Sequence, residues 1–164
     1  MKFEHLVEVN NPDTPGGTTL TRDQLWNGLL LRAEKPEMFV LGLEQCTILE
    51  RTWSCIWREL DFGNLKVRDR VTFHPKLLVN YQTEAQPGLP SAVLTMVIEE
   101  PAPQVLQVRF EYQLTEVASE TASDEEACRQ AAYVQADNAA LCIIRELAAK
   151  GRLDAVDGIA RLAA

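Results

Sequence analysis

A chain of 164 residues, 46% hydrophobic and 24% charged, has the make-up of one globular domain spanning 1–164, and it holds no apolar run near the roughly 18 residues a membrane helix needs. Its formal charge of −8 speaks against a phosphate-backbone partner, which calls for a basic face, so nucleic acid is not expected. The start, Met1-Lys2-Phe3-Glu4-His5-Leu6, alternates polar and apolar residues without the apolar core of a signal peptide, which makes a cytoplasmic location the expectation. Cys46, Cys55, Cys128 and Cys142 have no C-x-x-C spacing and read as small buried thiols rather than disulfides or metal ligands.

In chain order, residues 3–9 alternate with period two and predict a strand, ended by the turn-rich stretch 10–17. Thr21 and Gln24 form a capping box, with Leu20 and Leu25 placed to act as a hydrophobic staple. Leu25, Trp26, Leu29 and Leu30 stripe the helix that follows, which ends before Pro36; a short helical turn over 37–40 stops at Gly42. Six strands are then expected, at about 44–52, 55–62, 65–74, 77–84, 92–99 and 104–116, and connections this short imply antiparallel hairpins in a meander.

The stretch 123–150 reads as one long amphipathic helix. Ser123 with Glu126 makes its capping box, and Tyr133, Ala136, Ala140, Ile143, Ile144 and Leu147 gather on its buried side. Gly151 stops it, and 153–162 could add a short tail helix.

The order strand, two short helices, six-strand meander and long helix resembles the helix-grip fold of the START and birch-pollen-allergen superfamily, often called SRPBCC. Arg58-Glu59-Leu60-Asp61-Phe62-Gly63, the Val67 to Val71 strand, His74-Pro75 and the Tyr81 strand resemble its AtaL-like branch more narrowly. The resemblance implies an α+β fold in which a curved seven-stranded antiparallel sheet wraps a long C-terminal helix, two short helices lying between strands one and two. It also implies an apolar space between sheet and helix. Superfamily members range over lipid carriers, hormone and sterol binders, polyketide aromatase/cyclases and oxygenase subunits, but the iron-ligating clusters of the last are missing here. No cofactor is expected.

A two-residue hairpin at Gly63-Asn64 pairs Asp61 with Lys66, Glu59 with Arg68 and Arg58 with Asp69. The first two pairs fall on the outer face. Arg58 and Asp69 fall among apolar side chains on the inner one, either as an anchor for a polar group of an apolar ligand or as a structural ion pair fixing register. In the last strand Tyr112 turns toward the helix, where Tyr133 faces it and Arg129 lies a turn earlier. The fourth meander strand has two phases; a bulge at Pro75 would turn Tyr81 inward. The ligand-binding set expected is therefore Arg58, Asp69, Tyr81, Tyr112, Arg129 and Tyr133. His5 reads as an interior histidine and His74 as a loop residue, and neither comes with a metal-binding arrangement.

Three functions stay open: binding of a small hydrophobic or aromatic molecule, a cyclase- or aromatase-like enzyme using the same space, and an interaction module with a filled core. Trp53 and the outward Trp57 could mark a partner surface, a homodimer included.

Overall fold

The computed structural model describes residues 1–13, 19–115 and 122–154. In chain order these form β1 (Lys2–Asn10), α1 (Arg22–Glu34), a 3-10 turn (Pro36–Met38), β2 (Gln45–Arg51), β3 (Cys55–Asp61), β4 (Lys66–His74), β5 (Leu78–Thr83), β6 (Ala92–Ala102), β7 (Val105–Leu114) and α2 (Ala122–Ala149). All seven strands join one antiparallel sheet in the order β1-β7-β6-β5-β4-β3-β2, with α2 laid across it. This is the helix-grip fold. No described helix is long and apolar enough to cross a membrane.

Turn chemistry sets the phase of the meander. At Gly63 (φ +90°) the expected two-residue hairpin forms, and Asp61↔Lys66, Glu59↔Arg68 and Arg58↔Asp69 all pair. Three other turns put a proline before a residue with positive φ, the pattern of a type II turn: Pro75 before Lys76 (60°), Pro87 before Gly88 (81°) and Pro103 before Gln104 (66°). At the first of these His74 pairs with Leu78, leaving three residues in the connection instead of two. That extra residue carries Val79 and Tyr81 to the inner face. At the last, Ala102 pairs with Val105, so β6 runs three residues past its expected end at Glu99.

The register lays out the inner face in rows. One row runs Ile56, Val71, Tyr81, Leu94, Tyr112, Phe3 from β3 to β1. Beside it on one side lie Ile48, Arg58, Asp69, Thr83, Ala92 and Leu114, and on the other Phe73, Val79, Met96, Phe110 and His5. Val79, Met96 and Phe110 have no exposed surface, and neither do Leu25, Leu29, Ile144 and Leu153 above the sheet. Gly28 lets α1 and α2 meet there, since a Cβ at that position would stand 2.5 Å from Ile144 Cγ2.

Thr21 caps α1 through the expected box with Gln24, and Leu20 and Leu25 are both buried. The long helix departs from expectation in two ways. It is already formed at Ala122, so Ser123 is a first-turn residue rather than the cap, and the capping position at 121 lies outside the described residues. Its buried stripe is Asp137, Ala140, Leu141, Ile144, Leu147 and Ala148, whereas Ala136 is exposed, because the phase running i, i+4, i+7 from Tyr133 selects 137 and 140. Of the cysteines only Cys55 is buried; Cys46 is half-buried, and Cys128 and Cys142 fall on the outer side of α2 and are exposed. All four are free thiols. The tail helix expected over 153–162 lies, apart from Leu153 and Asp154, outside the described residues.

Candidate ligand-binding site

Two polar clusters stand on the inner face, joined by the Tyr81 to Tyr112 row. In the first, the Arg58 and Asp69 side chains are only 3% and 4% exposed. Arg58 Nε and Nη2 donate to the two carboxylate oxygens, and Nη1 donates to the Ala33 carbonyl at 2.8 Å, at the end of α1. Burial alone would lower the guanidinium's pKa, but the hydrogen bond and charge of Asp69 outweigh it and leave the pKa raised. With its donors committed this way, Arg58 ties β3 and β4 to α1.

Tyr81 lies beside it. Its ring carries the Arg58 and Arg32 guanidinium carbons, each 5.2 Å from the centroid. Its hydroxyl is buried without a hydrogen-bond partner among the described residues.

The second cluster joins the sheet to α2. Tyr112 Oη donates to Asp137 at 2.7 and 2.9 Å from its two oxygens, and His5 Nε2 is 2.6 Å from Asp137 Oδ2. Tyr133 stacks on Tyr112 with centroids 4.1 Å apart and planes 3° from parallel. Phe3 and Phe110 stack on His5 at 5.6 and 5.2 Å. Burial pushes the Asp137 carboxyl above its usual range, against the pull of Tyr112, His5 and Arg32. Burial, then the charge and hydrogen bond of Asp137, hold the Tyr112 phenol well above its ordinary value, with Arg32 acting the other way. Tyr133 is also raised, first by burial, with Arg129 opposing.

Of the six expected site residues, Arg58, Asp69, Tyr81 and Tyr112 are buried on the inner face, and Tyr133 is half-buried against Tyr112. Arg129 is exposed on α2 one turn from Tyr133. Sequence reasoning missed Asp137 and Arg32. The signals were present: Asp137 is four residues after Tyr133, and Arg32 is seven after Leu25, each on the buried face of its helix.

The partly buried Ile48, Ala92 and Leu94 flank these clusters in the sheet register, and Tyr133 stacks on Tyr112. Residues 123–136 of α2 include no buried side chain. A depression of about 420 Å³ is lined by the outward residues Lys2, Glu4, Val93, Thr95, Glu111 and Gln113 together with Phe3 and Tyr112 of the inner-face row. Among the described residues no group of His, Cys, Asp and Glu is arranged to hold a metal ion.

The family model described as AtaL, acetylaranotin biosynthesis cluster protein L, matches residues 7–151. The chain belongs to the AtaL family. Solved structures agree on the architecture of this AtaL-family chain. The di-domain ARO/CYC StfQ from the steffimycin biosynthetic pathway superposes with a TM-score of 0.69 at 12% identity, over 91% of this chain and 51% of that one. The chain thus spans about half of that di-domain protein. Zhui aromatase/cyclase from Streptomyces sp. R1128 gives 0.61 at 15% identity, covering 90% and 95%, and Ara h 8.0201 gives 0.56 at 9%, covering 88% and 97%. At such identities the likeness is one of fold. No protein of curated function matches by sequence.

Proposed function

We propose that this AtaL-family chain binds a small, largely apolar or aromatic molecule between the inner face of the sheet and the N-terminal half of α2. The observation that carries the reading is the Tyr81 hydroxyl, buried without a partner among the described residues in a mostly apolar row of the inner face. An unsatisfied buried hydroxyl costs free energy that a ligand acceptor or donor would return. The half-buried Ile48, Leu94 and Tyr133 supply apolar and stacking surface, the usual composition of a small-molecule pocket with few polar groups. Two similar structures are named as aromatase/cyclases, which fits an aromatic or polyketide-like occupant.

Native mass spectrometry of protein purified from its own host tests this directly, together with a fluorescence titration using the uncharged dye Nile red. A retained small molecule or saturable dye binding is expected, and Tyr81→Phe should weaken binding of 2-naphthamide, whose amide can meet the hydroxyl, by about two- to tenfold. Absence of both retained ligand and dye binding overturns the reading.

The second reading, a cyclase- or aromatase-like enzyme in the same space, is favoured by one observation. Tyr112, Asp137 and His5 form a continuous hydrogen-bonded chain of the kind that holds and passes a proton. Its test is turnover of a linear poly-β-keto thioester to a cyclised product, followed by liquid chromatography and mass spectrometry. Turnover lost in Asp137→Ala with ligand binding retained would favour the enzyme over the carrier.

A further inference from the structure

Charge on the inner face does not balance at one residue. Arg58 is matched by Asp69 in a two-pronged pair and spends its last bonded nitrogen on the Ala33 carbonyl. Asp137 is engaged by His5 and Tyr112. Glu34, two residues from Arg32 on α1, pairs with Arg51 at 2.7 Å. Arg32 itself is half-buried with its guanidinium carbon over the Tyr81 ring, and among the described residues no carboxylate pairs with it and no acceptor takes its N–H groups. Its charge also reaches Asp137 and Tyr112, opposing the burial that raises both.

A half-buried guanidinium whose N–H groups take no acceptor among the described residues is free to engage an anionic or strongly accepting partner, and its planar fork of donors matches a carboxylate two-pronged. The Tyr81 hydroxyl, buried and unpartnered in the described structure, is a further donor beside it. We propose that the ligand is an acid: an apolar or aromatic molecule whose carboxylate is held by Arg32 and the Tyr81 hydroxyl while its hydrocarbon body lies along Leu94 and Tyr133. This rests on the ligand-binding reading above and specifies the class of molecule for that site. Arg58 is then the support that fixes the end of α1, and through it the position of Arg32, rather than the anchor itself.

The test compares 2-naphthoate with its neutral isostere 2-naphthamide by isothermal titration calorimetry at neutral pH, on the wild type, Arg32→Gln and Arg32→Lys. Wild type should bind the acid about tenfold or more tighter than the amide, the size expected for charge-assisted hydrogen bonds in a partly desolvated site. In Arg32→Gln the ratio of the two dissociation constants should fall toward one, and Arg32→Lys should keep part of it as a point charge. Equal binding of acid and amide by the wild type, or an acid preference that survives Arg32→Gln, overturns the proposal while leaving an apolar ligand site in place. Binding of neither probe, with no dye binding, removes the site itself. If Arg32→Gln fails to fold cooperatively, the wild-type ratio and the Lys variant still decide.

Discussion

A carboxyl group that is 1% exposed is costly unless its oxygens are occupied, and Asp137 meets the condition with Tyr112 and His5. Removing it leaves a buried phenol and imidazole without their partner, so Asp137→Ala should lower unfolding free energy by about 3–5 kcal/mol in urea titrations. Asp137→Asn keeps an acceptor for Tyr112 and isolates the effect of charge. Burial raises the folded-state pKa of Asp137 above the ordinary 3.8, so the group's stabilising contribution is complete below that value and is lost as pH rises through the raised one. Stability of Asp137→Asn relative to wild type should therefore climb as pH rises from the ordinary carboxylate value through the raised one; a constant difference would refute the assignment. Tyr81→Phe runs the opposite way. Deleting a hydroxyl with no partner should leave the unliganded protein as stable, or raise it by up to about 1 kcal/mol, while ligand affinity drops.

At the scale of elements, the Arg58–Asp69 pair acts as a clamp between the β3–β4 hairpin and the end of α1. Arg58→Leu strands a buried carboxylate and frees the Ala33 carbonyl, so a loss of about 3–5 kcal/mol is expected by chemical denaturation, whereas adding Asp69→Leu should recover much of it. Helix contact has its own constraint. Gly28→Ala would gain up to about 1 kcal/mol of helix propensity. Its Cβ, however, would sit 2.5 and 2.9 Å from two carbons of Ile144, a fully buried β-branched side chain that cannot swing aside. Overpacking should win, with a net loss of about 1–3 kcal/mol that pairing with Ile144→Ala relieves.

Across the whole molecule the buried side chains divide unevenly: α1 and the C-terminal half of α2 carry the helical part of the core, and residues 123–136 of α2 carry none of it. If the proposed acid binds the folded chain, an acid at about 100 times its dissociation constant should raise unfolding free energy by about 2.7 kcal/mol, read as a higher melting temperature. The residues themselves encode what depends on short range. Period-two and 3.6 patterns placed strands and helices, the Gly63-Asn64 turn set the register that pairs Arg58 with Asp69, and the capping box began α1 at Thr21. Tyr81 was legible only through the guess of a bulge at Pro75, because one residue in a turn reverses every side chain beyond it. The meeting of His5 with Asp137, 132 positions apart, and the stranding of Arg32 over Tyr81 lay beyond sequence reasoning. Both follow from the rotation and depth at which the helices lie on the sheet. That seating is a collective result of packing, such as Gly28 against Ile144, and no local pattern in the chain records it.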